Sequence, residues 1–229
     1  MPNFRVKLGT SLLESMTLAT VEAFSFRGPR SSSKAGVETY GYVWGSKKNH
    51  PNGDIVFFLD KLSISLTAKR AALSVEPNRR AGKIKDELFK RLAPHQTLLA
   101  DFHSHPYPSN KAVTQKVGFD FSELDFDDFL DDDFLWESAD STPIMLVQTI
   151  CRRDRSTAGD IGWKRRNVFH FDVGPYRFWV NAVVGYLDGR GKRRHTGNVT
   201  RLVQIDPIGR VPSSGVARRK QAARDARFS

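Results

Sequence analysis

The chain predicts a single layered α/β domain, with a mixed central β-sheet flanked by helices, and a basic extension at its C-terminal end. Three observations carry this. Strand-like segments, with period 2 or as short apolar runs, alternate with segments whose apolar residues recur at helical spacing. A chain of 229 residues that is 39% hydrophobic and 11% aromatic can fill one substantial core. The formal charge of +11 is unevenly spread: residues 189–229 hold 11 Lys and Arg against Asp206 and Asp225, a net +9, which leaves +2 for residues 1–188.

Phe4-Arg5-Val6-Lys7-Leu8 alternates like an edge strand. Ser11-Leu12-Leu13-Glu14 is a capping-box pattern opening a helix whose apolar side is Leu12, Leu13, Met16, Ala19 and Ala23. Arg27 to Gly36 is rich in Pro, Gly, Ser and Lys and reads as a flexible loop. Val37 to Gly45 is a second strand, and Asn52-Gly53 a hairpin turn into a third, Ile55 to Leu59. Ile84, Leu88 and Leu92 predict a helix of about three turns before the buried strand Thr97-Leu98-Leu99-Ala100. Thr142 to Ile150 reads as another buried strand, and two more follow, around Val168–Val173 and Phe178–Leu187. No internal repeat is visible.

No apolar run approaches the roughly 20 residues that cross a bilayer, and the first residues lack a signal-peptide core, so a soluble cytoplasmic setting without membrane partners is expected. The single Cys151 cannot form an intrachain disulfide and removes any multi-cysteine zinc site. The expected division is a domain over residues 1–188 and a basic extension over 189–229, flexible from about Gly209, where Arg, Ser, Gly and Ala replace large apolar residues.

Chemistry concentrates in three places. His103 and His105 follow the buried strand at a spacing of two, which puts both imidazoles on one face, and Pro106 is expected to end the strand there. Ser122-Glu123-Leu124-Asp125 opens a helical pattern; it is a capping box, and its Asp125, firmly placed in a first turn, can be a third ligand beside the histidines. Two imidazoles and a carboxylate are the three-protein-ligand set of a catalytic zinc, and Ser122 would point its hydroxyl into the same site. Glu38 begins an otherwise apolar segment, and a carboxylate beside metal-activated water is a base that takes a proton and hands it to a leaving amine.

Glu38, then His103-Ser104-His105-Pro106, then Ser122-x-x-Asp125 resembles the JAMM/MPN-plus family of zinc metalloproteases. The resemblance spans roughly residues 4–187. It implies a cytidine-deaminase-like fold, Zn2+ held by His103, His105 and Asp125, Glu38 as general base, and Ser122 assisting the oxyanion. Its gap between Pro and Ser is longer than is usual in that family, with fifteen residues, 107–121, intervening. Asp120, Asp127 and Asp128 therefore stand as alternative third ligands, Asp125 alone keeping the spacing, and the insert is either a flap over substrate or an inert loop.

The resemblance further implies isopeptide or peptide hydrolysis that releases a ubiquitin-like modifier from its target or precursor. Compact bacterial members sit beside ubiquitin-like conjugation and antiphage systems, so E1- and E2-like enzymes are candidate partners. Other readings are cleavage of a sulfur-carrier fusion or of a cell-wall or phage-tail peptide, a non-catalytic MPN scaffold, and a DNA-repair-associated member using the basic tail.

Asp120 to Asp140 holds ten acids and no Lys or Arg, interleaved with aromatics, and reads as an amphipathic helix with a solvated acidic face. His50, His95, His170 and His195 stand without ligand spacing, and Cys151 lacks a histidine pattern for a nucleophile.

Overall fold

The computed structural model describes residues 2–25, 36–70, 75–153 and 160–207. The chain is a mixed α/β structure built on a ten-stranded sheet. Its strands are β1 (Phe4–Leu8), β2 (Tyr40–Asn49), β3 (Ile55–Ile64), β6 (Thr97–Tyr107), β7 (Ile144–Arg152), β8 (Ile161–Arg165), β9 (Val168–Val173), β10 (Tyr176–Leu187), β11 (Arg193–His195) and β12 (Val203–Pro207). A separate ribbon pairs β4 (Lys69–Arg70) with β5 (Val75–Glu76). The helices are α1 (Thr10–Ser25), α2 (Arg79–Leu92), α3 (Asn110–Lys116), α4 (Glu123–Asp131) and α5 (Asp133–Ser138). The sheet runs β12-β1-β3-β2-β6-β7-β10-β9-β8, with β11 on β10. β12 with β1, β1 with β3 and β6 with β7 are parallel, and the other pairs antiparallel.

Alternation along the central strands builds a core on each face. Val43, Phe102, Leu146 and Val180 pack with Leu12, Leu13 and Met16 of α1. Tyr42, Trp44, Met145 and Val147 pack with Phe126, Phe129, Leu135 and Trp136 of α4 and α5. A polar peg docks α1: Thr20 Oγ1 donates to the fully buried Gln148 Oε1 at 2.9 Å, and Gln148 Nε2 donates to Thr17 Oγ1 at 3.2 Å. Asn52-Gly53 makes the expected β2–β3 turn, with Gly53 at φ 85°. Gly45 sits at a bulge so close to β3 that a Cβ would meet the Phe58 carbonyl at 2.1 Å.

Several expectations need correcting. Ser11 does not cap α1: the helix starts at Thr10, so Ser11 lies inside its first turn. The second strand begins at Tyr40 rather than Val37, so Glu38 sits in its extended lead-in. The acidic stretch forms two short helices, not one. Asp132 breaks it, because its carboxylate caps α5 by accepting from the Leu135 amide at 3.2 Å. The predicted helix before the histidines exists as α2, yet Ile84, Leu88 and Leu92 are 51%, 53% and 81% exposed. Its inner side is polar and aromatic: Asp86 accepts from Trp44 Nε1 at 3.1 Å, and Phe89 stacks on Trp44 at 4.3 Å.

The boundary expected at 188 does not divide the sheet. β11 pairs β10, and β12 pairs β1 with Val203 and Ile205 fully buried, so residues beyond 188 complete the body of the domain. The loop expected over Arg27–Gly36 lies outside the described residues except for Gly36, and the flexible arm expected from Gly209 lies outside them altogether. No helix among the described residues is long and apolar enough to cross a membrane.

Because Ile205 is fully buried against β1, Ile205→Ala should cost about 2–5 kcal/mol in urea unfolding, whereas Val199→Ala, at an 80% exposed position, should stay within about 0.5 kcal/mol. Equal effects would show that β12 adds nothing to the core.

Candidate metal centre

The site grows from β6, an interior strand between β2 and β7. Asp101, His103 and His105 occupy alternate positions and share one face, opposite β7 residues Met145, Val147 and Thr149. β6 does not end at Pro106. It continues to Tyr107 in parallel register with β7, while registered pairing with β2 stops at His103. Proline is tolerated because the β2 side is open there.

His103 Nε2 and His105 Nε2 approach to 3.1 Å. Asp125 completes the group, its Oδ1 at 3.5 Å from His103 Nε2 and its Oδ2 at 3.9 Å from His105 Nε2. Ligands about 2.0–2.2 Å from a tetrahedral ion stand roughly 3.3–3.6 Å apart, so the three donors are spaced to share one cation. Among the described residues this is the group of His, Cys, Asp and Glu whose ligand atoms all converge within 4.8 Å. The tautomer of His105 follows from its partner. Its Nδ1 lies 3.1 Å from the Gly118 carbonyl, which can only accept, so Nδ1 carries the proton and Nε2 keeps its lone pair toward the other donors.

The insert 107–121 therefore does structural work, which neither flap nor inert loop anticipates. It holds α3 and buries Val113, Phe119 and Phe121. Gly118 lies so near the Tyr107 ring that a Cβ would meet it at 2.4 Å. Its carbonyl also accepts from Thr149 Oγ1 at 2.9 Å. Asn198, beyond β11, grips the backbone of Phe121 with both ends of its amide at 2.9 Å, and Asn181 Nδ2 donates to the Phe119 carbonyl at 3.0 Å. Arg165 clamps Asp120 at 2.7 and 2.9 Å, which removes Asp120 as a ligand. Asp127 and Asp128 are exposed and outside the converging group.

The chain is thus delivered in place to Ser122, the N-cap of α4. The Ser122 amide and hydroxyl donate to Asp125 Oδ2 at 2.7 and 2.8 Å, and Ser122 Oγ accepts from the Asp125 amide at 3.2 Å. The capping box and the ligand are one object, with Oδ1 left facing His103.

Glu38 is brought to this group by backbone pairing. Ser104 N donates to Thr39 O at 3.1 Å, and Thr39 N to Ser104 Oγ at 3.0 Å. Glu38, 7% exposed, lines the same cleft as His103, Ser122 and Asp125. Burial and then the Asp125 charge push its carboxyl up to about 8. Burial holds the His103 imidazole down to about 4 against the pull of Asp125, and lowers His105 likewise, so both rings are neutral. Burial alone would raise Asp125, but the charge of His103 when that ring is protonated and the hydrogen bonds from the Ser122 amide and hydroxyl outweigh it and lower the carboxyl from its ordinary value.

Sequence reasoning missed Tyr107, whose hydroxyl is raised by burial, Glu38 and Asp125, and Asp101, buried on the same strand face. Asp101 shares the parity of His103, a signal open to reading.

No family model matches this chain, and no curated protein matches it. Among solved structures, the N-terminal domain of Trichoplax adhaerens STIL is similar with a TM-score of 0.36 and 11% identity, covering 90% of this chain and 47% of that one. The chain thus spans about half the length of that neighbour, and a likeness of this degree carries no argument.

Two outcomes follow. Ser122→Ala should weaken zinc binding about 10–100-fold, as loss of an outer-shell partner does; unchanged zinc affinity with lost turnover would instead give the hydroxyl a role on substrate. In metal-free protein the folded Glu38 keeps a proton that the unfolded chain releases, so stability contributed by this group falls as pH rises from 4.5 to about 8. The histidines act oppositely below 6.5, so the comparison is with Glu38→Gln. The wild type should lose melting temperature relative to that variant across the window, and parallel profiles would mean Glu38 is not held protonated.

Proposed function

We propose that the protein is a zinc-dependent peptidase or isopeptidase of the JAMM/MPN-plus kind, with its cytidine-deaminase-like fold, acting in the cytoplasm to release a ubiquitin-like modifier from a target or precursor. The observation that carries this reading is the convergence of His103, His105 and Asp125 within bonding reach of one cation, beside the buried carboxyl of Glu38 in a cleft of about 870 Å³. The donor set suits zinc: two neutral imidazole nitrogens and one ionised carboxylate, with no thiolate.

Bound there, zinc supplies Lewis-acid activation of water near neutral pH. The protein's own groups do the rest. Gly118 fixes the His105 ring and Ser122 fixes the Asp125 carboxylate, so the ligands need no rearrangement. Glu38, poised near neutral pH, exchanges protons with the attacking water and the departing amine. An extended modifier tail of small residues fits a cleft bounded by strand and helix, and E1- and E2-like conjugation enzymes belong to the same reading as partners.

The test is elemental analysis of the purified protein, then cleavage of a ubiquitin-like protein carrying an amide-linked fluorophore at its C-terminal glycine. One zinc per chain and measurable release are expected, with His103→Ala losing both. Glu38→Gln should keep zinc and fold while losing about 10²–10⁴-fold in rate, and a rate within about threefold of wild type would assign the base elsewhere. Protein that takes up no zinc overturns the proposal.

A further inference from the structure

A surface helix normally turns its apolar stripe to the core, and α2 does the reverse. It faces the sheet with Gly82, Asp86 and Phe89: a Cβ on Gly82 would meet the Tyr42 ring at 2.6 Å, Asp86 accepts from Trp44 Nε1 at 3.1 Å, and Phe89 stacks on Trp44 at 4.3 Å. These contacts fix the rotation of the helix. Ile84, Leu88 and Leu92 are thereby held outward, at 51%, 53% and 81% exposure. At a spacing of four they make one continuous apolar stripe about two turns long. Single exposed apolar residues are ordinary on a protein surface, but a row of three on one helix is a patch.

A basic row runs beside the stripe. Arg80, Lys83, Glu87 and Arg91 follow one another at spacings of three and four, all of them exposed, and Glu87 is the one acid among them. Lys90 is held by Asp86 at 2.7 Å, and Lys85 donates to the Ile64 carbonyl at 2.7 Å, but Arg80, Lys83 and Arg91 have no ion-pair partner among the described residues. An apolar stripe bordered by free cations matches the boundary of an anionic bilayer, where acyl chains receive the stripe and lipid phosphates the cations. A protein partner fits less well: a stable interface takes roughly 20–30 residues a side, and one convex helix face offers only those just named. A helix that lies on a bilayer need not span it, so the lack of a spanning helix among the described residues does not bear on this surface.

We propose that the outward face of α2 is a docking surface for an anionic membrane, with Ile84, Leu88 and Leu92 entering the headgroup boundary while Arg80, Lys83 and Arg91 meet lipid phosphates. The protein then lies on the bilayer without crossing it. This departs from the expectation of no membrane partner, which rested on the lack of a spanning run. Asn78 and Arg79, at the N-terminal end of the same helix, line the cleft, so docking holds the cleft mouth beside the lipid surface. The lipid binding itself does not rest on the peptidase reading.

The test is co-sedimentation of the full chain with vesicles of phosphatidylcholine alone and of equimolar phosphatidylcholine and phosphatidylserine. Binding to the second should be at least about tenfold tighter than to the first, and should weaken with added salt. The triple variant Ile84→Ala, Leu88→Ala, Leu92→Ala should bind the anionic vesicles at least about tenfold less well, because each truncation takes apolar surface out of the contact. Ala favours the helix and the three positions are exposed, so circular dichroism should show the fold intact. Arg80→Gln, Lys83→Gln and Arg91→Gln should each weaken binding to the anionic vesicles by about fivefold and barely change it on the neutral ones. Residues 208–229 carry further basic charge and are present in every variant. Vesicle binding that the Ala variant retains in full is binding by charge elsewhere in the chain, and overturns the proposal. Absence of binding to either vesicle also overturns it, and a concentration-dependent dimer abolished by Leu88→Ala would then assign the stripe to a second copy of this chain.

Discussion

The carbonyl oxygen of Gly118 ties the site to the fold. It accepts from His105 on β6 and from Thr149 on β7, two residues that face each other in the parallel register of those strands. One acceptor thereby sets a tautomer, fixes a ring and pins the insert across a strand pair. Four residues later Ser122 caps α4, whose first turn carries Asp125 toward the histidines. The third donor reaches the strand pair only because the intervening backbone is clamped, by Asn198 and Arg165 as much as by Gly118. A long insert, which in sequence looks like a weakening of the site, is the means by which its two halves are held in register.

What the fold holds in place is electrostatically unfavourable by itself. Two imidazoles are kept neutral by burial, and burial together with the nearby Asp125 charge raises the cost of ionising both Glu38 and Asp101. Local rules of stability are broken here together, and the compensation lies in the two apolar cores, where alternate residues of β2, β6, β7 and β10 are sealed by α1 on one side and by α4 and α5 on the other.

The parts legible in sequence were those fixed by local periodicity. A spacing of two put His103 and His105 on one face, and the capping box put Asp125 in the first turn of α4, because both are decided within a few residues. Long-range pairing was not legible. Nothing near Asn198 announces that its amide reads the backbone of Phe121, 77 positions away. β8 and β11 are short, and β12 stands amid basic and polar residues, so the alternation that marks longer strands is faint in them. α2 misleads in another way: Ile84, Leu88 and Leu92 give the period of a helix correctly and its inner face wrongly, because Trp44 and Tyr42 beneath it call for the Asp86 carboxylate and the bare Gly82 instead. The chemistry was read from a motif resemblance, and what bears on it in the structure is the convergence of His103, His105 and Asp125.

The parallel pairing of β1 with β12 joins Phe4 to Val203 and Leu8 to Pro207, almost the full span of the described chain. During synthesis β1 can pair with β3 as soon as the β2–β3 hairpin has formed, but its other edge has no partner until nearly every other strand has emerged. Contacts of such sequence separation are slow to form, and an open edge is where one nascent chain can add to another. Arg5 is exposed and Lys7 half-exposed on that short strand, and charges on an edge oppose such pairing. The order of translation thus makes β12 the closing strand, and the interval before it arrives is when the nascent chain is most open to misassembly.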